Sequence, residues 1–85
     1  MSAPLHLKIL SSTGRLLDER ADYVGLRARD GSLGILKGHA PAIVSLVKGE
    51  VEYKRGEESF SLEISGGIAE VMDDNVIIIV DDEPK

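Results

Sequence analysis

Residues 33–41 read Leu33-Gly34-Ile35-Leu36-Lys37-Gly38-His39-Ala40-Pro41. The apolar run of Leu33, Ile35 and Leu36 is interrupted and then closed by glycines, and His-Ala-Pro follows at once. Glycine serves where backbone takes φ > 0 or another backbone approaches closely. Pro41 fixes its own φ and drives Ala40 toward extended geometry. The stretch therefore predicts a short strand, a tight turn shaped by Gly34 and Gly38, and a rigid lead into the next strand. It holds no acid–base pair and no metal-ligand cluster, so it points to a shaped surface loop of a docking module rather than to an enzyme.

On either side of this stretch the dominant period is two, the spacing of strands with one polar face. Leu5, Leu7 and Ile9 alternate with His6, Lys8 and Leu10, and Val24, Leu26 and Ala28 with Tyr23, Gly25 and Arg27. Val51 and Tyr53 alternate with Glu50, Glu52 and Lys54, and Phe60, Leu62 and Ile64 with Ser59, Ser61 and Glu63. Turn signals separate these runs at Ser11–Gly14, Asp30-Gly31-Ser32, Gly38–Pro41, Lys48-Gly49, Arg55–Glu57, Gly66-Gly67 and Asp73–Asn75. Short strands with turns every ~8–12 residues define an antiparallel sandwich or barrel, here of roughly eight to ten strands. Val44–Val47 reads as strand because Pro41 precedes it and Gly49 follows. Gly66-Gly67 marks a close backbone crossing or a bulge where a strand bends between sheets.

Val76-Ile77-Ile78-Ile79-Val80 breaks the alternation. Consecutive β-favouring apolar residues need cover on both faces. One face enters the core; the other requires a second sheet edge, a neighbouring chain or another domain. Asp73, Asp74, Asp81, Asp82 and Glu83 flank the run as charge gatekeepers, and Pro84 ends any strand.

Size and composition narrow the function classes. Eighty-five residues make one domain, with its core expected over about 5–82. The absence of cysteine excludes disulfides and thiolate metal sites. No run is long enough to span a membrane, and Met1-Ser2-Ala3-Pro4 has neither a basic nor an apolar signal region, so membrane association is expected only through a partner. Residues 1–55 hold nine basic and six acidic residues, and residues 56–85 one basic and nine acidic, for a net charge of −5. That balance argues against a nucleic-acid partner. His6 belongs to a polar strand face and His39 to a turn, where a ring nitrogen bonded to nearby backbone is expected. The paired carboxylates Asp18-Glu19, Glu57-Glu58 and Asp73-Asp74 read as solvated charge. Ser65-Gly66-Gly67 lacks both the nucleophile-elbow pattern and the lysine of a phosphate loop. No catalytic, cofactor or metal residue is assigned.

Two motifs together carry a family resemblance. Gly31-Ser32-Leu33-Gly34-Ile35-Leu36-Lys37-Gly38-His39-Ala40-Pro41 resembles the Gly-x-[Leu/Phe]-Gly-Ile-x-x-Gly-His-Ala-Pro segment of the epsilon subunit of bacterial F-type ATP synthases. Ser65-Gly66-Gly67-Ile68-Ala69-Glu70-Val71 resembles that family's Ser-Gly-Gly-x-x-Glu-Val segment, and Val76–Asp81 its last strand. The resemblance covers roughly residues 5–82. It implies a ten-stranded β-sandwich and a non-catalytic subunit of the central stalk. Such a subunit docks on the gamma subunit and the c-ring and couples proton or sodium flow to ATP synthesis or hydrolysis, at the cytoplasmic face of the bacterial inner membrane. By correspondence Asp30, Gly31 and Ser32 face the c-ring, while Ser11, His39, Ala40 and Pro41 lie toward gamma. Ser32 stands where the family often has an acid, and Lys37 where it often has proline. Family members continue into two C-terminal helices; this sequence stops at Lys85, so neither helical inhibition nor a nucleotide site is expected. The alternatives on the residues alone are a stand-alone β-sandwich adaptor and a small-ligand module built on the glycine-rich turns.

Overall fold

The computed structural model describes residues 3–81. The expected gatekeepers Asp82 and Glu83 and the strand-ending Pro84 lie outside the described residues. Nine strands follow one another: β1 (Leu5–Ser11), β2 (Gly14–Ala21), β3 (Tyr23–Ala28), β4 (Gly31–Ile35), β5 (Ala42–Leu46), β6 (Gly49–Arg55), β7 (Glu58–Ile64), β8 (Gly67–Met72) and β9 (Asn75–Val80). The all-β expectation holds, and nine strands among the described residues fall within the expected eight to ten.

The strands form one curled sheet in the order β2-β1-β9-β8-β5-β3-β6-β7, with β4 on the remaining side of β3. The path folds over at β3. Residues Tyr23–Gly25 pair with β6, whereas Ala28 meets Leu46 of β5. The result is two layers, β2-β1-β9-β8-β5 and β4-β3-β6-β7, facing each other as a sandwich. At the opposite seam the chain leaves β2 for β3. There the Asp22 N–H donates to the Lys54 carbonyl at 2.7 Å, and Arg55 bonds Glu19 at 2.8 Å. The hydrogen bond to that carboxylate raises the Arg55 pKa above its ordinary value.

One pairing departs from the antiparallel expectation. The first and last strands, β1 and β9, run parallel, from His6↔Asn75 to Leu10↔Ile79. The whole chain lies between them, so no hairpin constrains their direction.

The alternating positions read from the sequence fill the interior. Leu5, Leu7, Ile9, Val24, Val51, Val76 and Ile78 are almost wholly buried, and among the described residues no charged, amide or hydroxyl-only side chain is buried with them. Tyr53 and Phe60, opposite each other on β6 and β7, stack with centroids 5.0 Å apart, worth about 1 kcal/mol beyond area burial. Burial raises the Tyr53 pKa, with a smaller push from Glu19.

Two glycine readings change. Gly34 does not shape a turn; it lies inside β4, directly opposite Gly25 of β3. The Tyr23 ring covers both, with ideal Cβ positions 2.9 Å (Gly25) and 3.0 Å (Gly34) from ring or hydroxyl atoms. The aromatic ring occupies the space that two side chains would need. Similarly, the β3–β4 turn is confined to Arg29-Asp30, with Gly31 and Ser32 already in the strand. By contrast the close crossing expected at Gly66-Gly67 is present. A Cβ on Gly67 falls 2.2 Å from the Ile79 carbonyl oxygen, and φ is +149°.

Candidate docking face

Strand β9 sits between β1 and β8 in the middle of its layer, and its two faces meet different fates. Val76 and Ile78 point into the core at 0% exposure, while Ile79 is 58% exposed on the outside. Cross-strand register extends that outer face. Ile79 lies opposite Ile68 of β8 and Leu10 of β1; Ile77 lies opposite Glu70 and Lys8; Glu70 in turn lies opposite Ile43 of β5. Ile43, Ile68 and Met72 are 77%, 52% and 51% exposed. Four large apolar side chains thus stand open on one sheet face, beside half-buried Ile77 and Leu10. Lys8 and Glu70 stand between these side chains, so the face is apolar in several places and crossed by charge.

Of the residues expected to touch partners, Ser11, the His39–Pro41 loop and Asp30 border this face, and Ser32 does not. Ser11 closes one end, where the last residue of β1 lines a groove with Leu16, Ser65, Val80 and Asp81. The Gly38–Pro41 loop closes the other: the Gly38 N–H donates to Asp74 Oδ1 at 2.8 Å, and Asp74 belongs to the β8–β9 turn. Within the loop the His39 N–H donates to the Leu36 carbonyl at 3.1 Å, and the His39 ring Nδ1 bonds the Ala40 carbonyl at 2.7 Å. The backbone tether expected for His39 is therefore present. Asp30 lies on a third side, where the β3–β4 turn and Ile43–Ser45 of β5 enclose a cleft of about 500 Å³. Its neighbour Arg29 donates its N–H to the Ser45 carbonyl at 3.2 Å, which holds the turn against the apolar layer. Ser32 and Gly34 face the opposite layer's outer side instead, in a shallow cleft with Tyr23, Arg27, Glu50 and Glu52. Ser32 therefore does not share Asp30's surroundings.

Ile43, Ile68 and Met72 had no role assigned from the sequence, and Asp74, expected to be a solvated gatekeeper, instead accepts a backbone hydrogen bond from Gly38. The first three carried a signal: Ala42–Leu46 and Ile68–Met72 hold apolar residues at both phases of the strand period, as Val76–Val80 does. Asp74 carried none, because its partner stands 36 positions away.

The carboxylate pairs split. Asp18 accepts from Arg15 at 3.0 Å and from the His6 ring, and Glu19 is tied to Arg55. The His6 hydrogen bond holds the Asp18 carboxyl below its ordinary value, with Arg15 adding to the effect. Among the described residues no three histidine or carboxylate side chains converge as a metal site, and no helix is long and apolar enough to cross a membrane.

A sandwich with a packed interior, shallow clefts and one apolar outer face defines a binding domain built to be covered. The chain belongs to the ATP synthase Delta/Epsilon chain β-sandwich domain family, whose model matches residues 4–83. It is 37% identical over 81 residues to the ATP synthase epsilon chain of Nitratidesulfovibrio vulgaris Miyazaki F, covering 95% of this chain and 60% of that one. It is 37% identical over 79 residues to the ATP synthase epsilon chain of Dehalococcoides mccartyi, covering 93% of this chain and 56% of that one. The chain thus spans about 60% of the length of the curated relatives it matches. Its fold superposes with a TM-score of 0.84 on a chain of the Euglena gracilis mitochondrial ATP synthase, from a structure of its OSCP, F1 and c-ring. That match has 26% identity and covers 94% of this chain and 52% of the other. A chain from the central stalk and c-ring of Tetrahymena thermophila ATP synthase shares the fold at a TM-score of 0.76.

Proposed function

We propose that this domain is the β-sandwich of a rotor subunit of F-type ATP synthase. It docks on the gamma subunit through the outer face of β1, β9, β8 and β5, and meets the c-ring through the β3–β4 turn. The observation that carries the reading is the row of exposed apolar side chains, Ile43, Ile68, Met72 and Ile79, framed by Ser11, His39-Ala40-Pro41 and Asp30. Burying such side chains against a partner is the dominant favourable term in association, and the polar rim sets register.

On this reading the chain does no chemistry. Its work is mechanical. The apolar face fixes it to gamma, Asp30 offers charge to the ring's polar loops, and the rigid sandwich transmits torque between them. The complex lies at the cytoplasmic face of the inner membrane, and the domain attaches to it from the aqueous side.

Reconstitution tests this. ATP synthase assembled without its epsilon subunit is incorporated into vesicles, and proton-driven ATP synthesis is measured with and without the chain. Improved coupling on addition supports the reading; equal coupling in both preparations refutes it.

A further inference from the structure

The β8–β9 turn accepts backbone strain that a simpler sequence avoids. Its two central residues, Asp73 and Asp74, have φ of 51° and 65°, and Met72↔Asn75 closes the hairpin around them. A two-residue loop with both φ positive favours glycine at its second position, because a Cβ is crowded there. Asp74 occupies that position. Strain held by a non-glycine residue points to use of its side chain.

That side chain has a long-range use. Asp74 Oδ1 accepts the Gly38 N–H at 2.8 Å, while the Asp74 carbonyl accepts the His6 N–H at 2.9 Å. One residue thus joins the start of β1, the β8–β9 turn and the β4–β5 connection. The connection's other hydrogen bonds given above, His39 N–H to Leu36 and His39 Nδ1 to Ala40, stay within it. They set its local shape, and β5 pairing from Ala42 holds its far end on the layer, while Asp74 ties down its Gly38 side. Gly38 has φ of +82°, with open space around its Cβ position, so no packing there replaces the tether. The other seam has the same kind of bond, from the Gly56 N–H to Asp22 Oδ2 at 2.7 Å. Asp22 adopts no positive φ, so of these two tethering aspartates Asp74 alone combines strain with the bond.

We propose that Asp74 is a positioning residue whose carboxylate latches the Gly38–Pro41 loop to the edge of the apolar face, so that loop and face meet the partner as one preformed surface. The proposal rests on the docking reading above and adds the device that holds its rim. A loop ordered before contact spares the complex the entropy of ordering it.

Two variants of the full chain separate this role from general stability. Asp74→Gly relieves the positive φ and removes the carboxylate; Asp74→Asn keeps a side-chain oxygen able to accept the Gly38 N–H. Three quantities are read: the thermal midpoint, Gly38 amide exchange by NMR, and binding to the ATP synthase head that carries gamma but lacks epsilon. Asp74→Gly should keep or raise the midpoint, speed Gly38 exchange about tenfold, and weaken binding about five- to tenfold. Asp74→Asn should restore exchange and binding. Unchanged Gly38 exchange in Asp74→Gly overturns the latch, as does faster exchange with unchanged affinity. Failure of the unaltered chain to bind the head refutes the docking reading and with it the latch's role there, an outcome seen before any variant is made.

Discussion

The two layers contribute alike to the core and oppositely to the surface. Outside β1, β9, β8 and β5 stand Ile43, Ile68, Met72 and Ile79, interrupted by Lys8 and Glu70. Outside β3, β6 and β7 stand Tyr23, Arg27, Glu50, Glu52, Lys54, Ser61 and Glu63, with the Lys54 ammonium 5.3 Å above the Tyr23 ring. Both faces come from strands with the same period and nearly the same inner residues. Folding alone asks only that the inner phase be apolar. Folding does not require an apolar outer phase confined to one layer, and under the docking proposal that layer is the side that meets the partner.

The sharpest way to break this contrast uses two adjacent residues of β9. Ile78→Asp places a carboxylate in a fully buried site with nothing to pair it, and the folded state should be lost, because the penalty rivals the roughly 5 kcal/mol that holds a small domain together. Ile79→Asp, one position on, should shift stability by less than about 1 kcal/mol and weaken binding to the epsilon-free head more than about tenfold. Denaturant unfolding beside a binding titration reads both; equal loss of stability in the two variants would erase the distinction between the faces.

Gly67→Ala tests how the apolar layer is held close. With the new Cβ 2.2 Å from the Ile79 carbonyl oxygen, β8 and β9 must separate, and the midpoint of unfolding should report a loss of about 3 kcal/mol. A loss under 0.5 kcal/mol would mean that the strand shifts freely.

Paired surface changes then compare the layers directly. Ile43→Ser should leave the fold intact and weaken docking about tenfold, whereas Glu52→Lys on the charged layer should leave both unchanged. A larger docking defect from Glu52→Lys would move the interface to the other layer.

The smallest effect concerns acid. The folded-state pKa of Asp18 is depressed chiefly by its bond to His6. Its stabilisation is thus present above the unfolded value near 3.8 and lost as pH falls through the lower folded value. Asp18→Asn should slightly flatten the acid limb of a stability–pH curve and leave the neutral region parallel. A change confined to neutral pH would contradict the assignment.

Much of the core was legible because a two-residue period can bury only one phase, and Leu5, Leu7, Ile9, Val24, Val51 and Tyr53 occupy it. Gly34 was misread because a glycine's meaning depends on what stands over it. The Tyr23 ring reaches it only once β3 and β4 are paired. The border residues Ser11, His39 and Asp30 were legible only through the family motif, since nothing local relates the three positions to one face. The parallel β1–β9 pair was hidden for the same reason.

By itself the sequence determined the strand phase of the alternating runs, most turn positions and the family. Those properties follow from nearest neighbours along the chain and from a local pattern of residue types. Only the tertiary structure decided which side of Val76–Val80 became core. Both phases of that run are apolar, and the choice follows from β1 and β8 flanking β9 and from the second layer covering one face. It also decided that Asp74, in the adjoining turn, bonds the Gly38–Pro41 loop, because a hydrogen bond across 36 residues exists only after the sheet has curled.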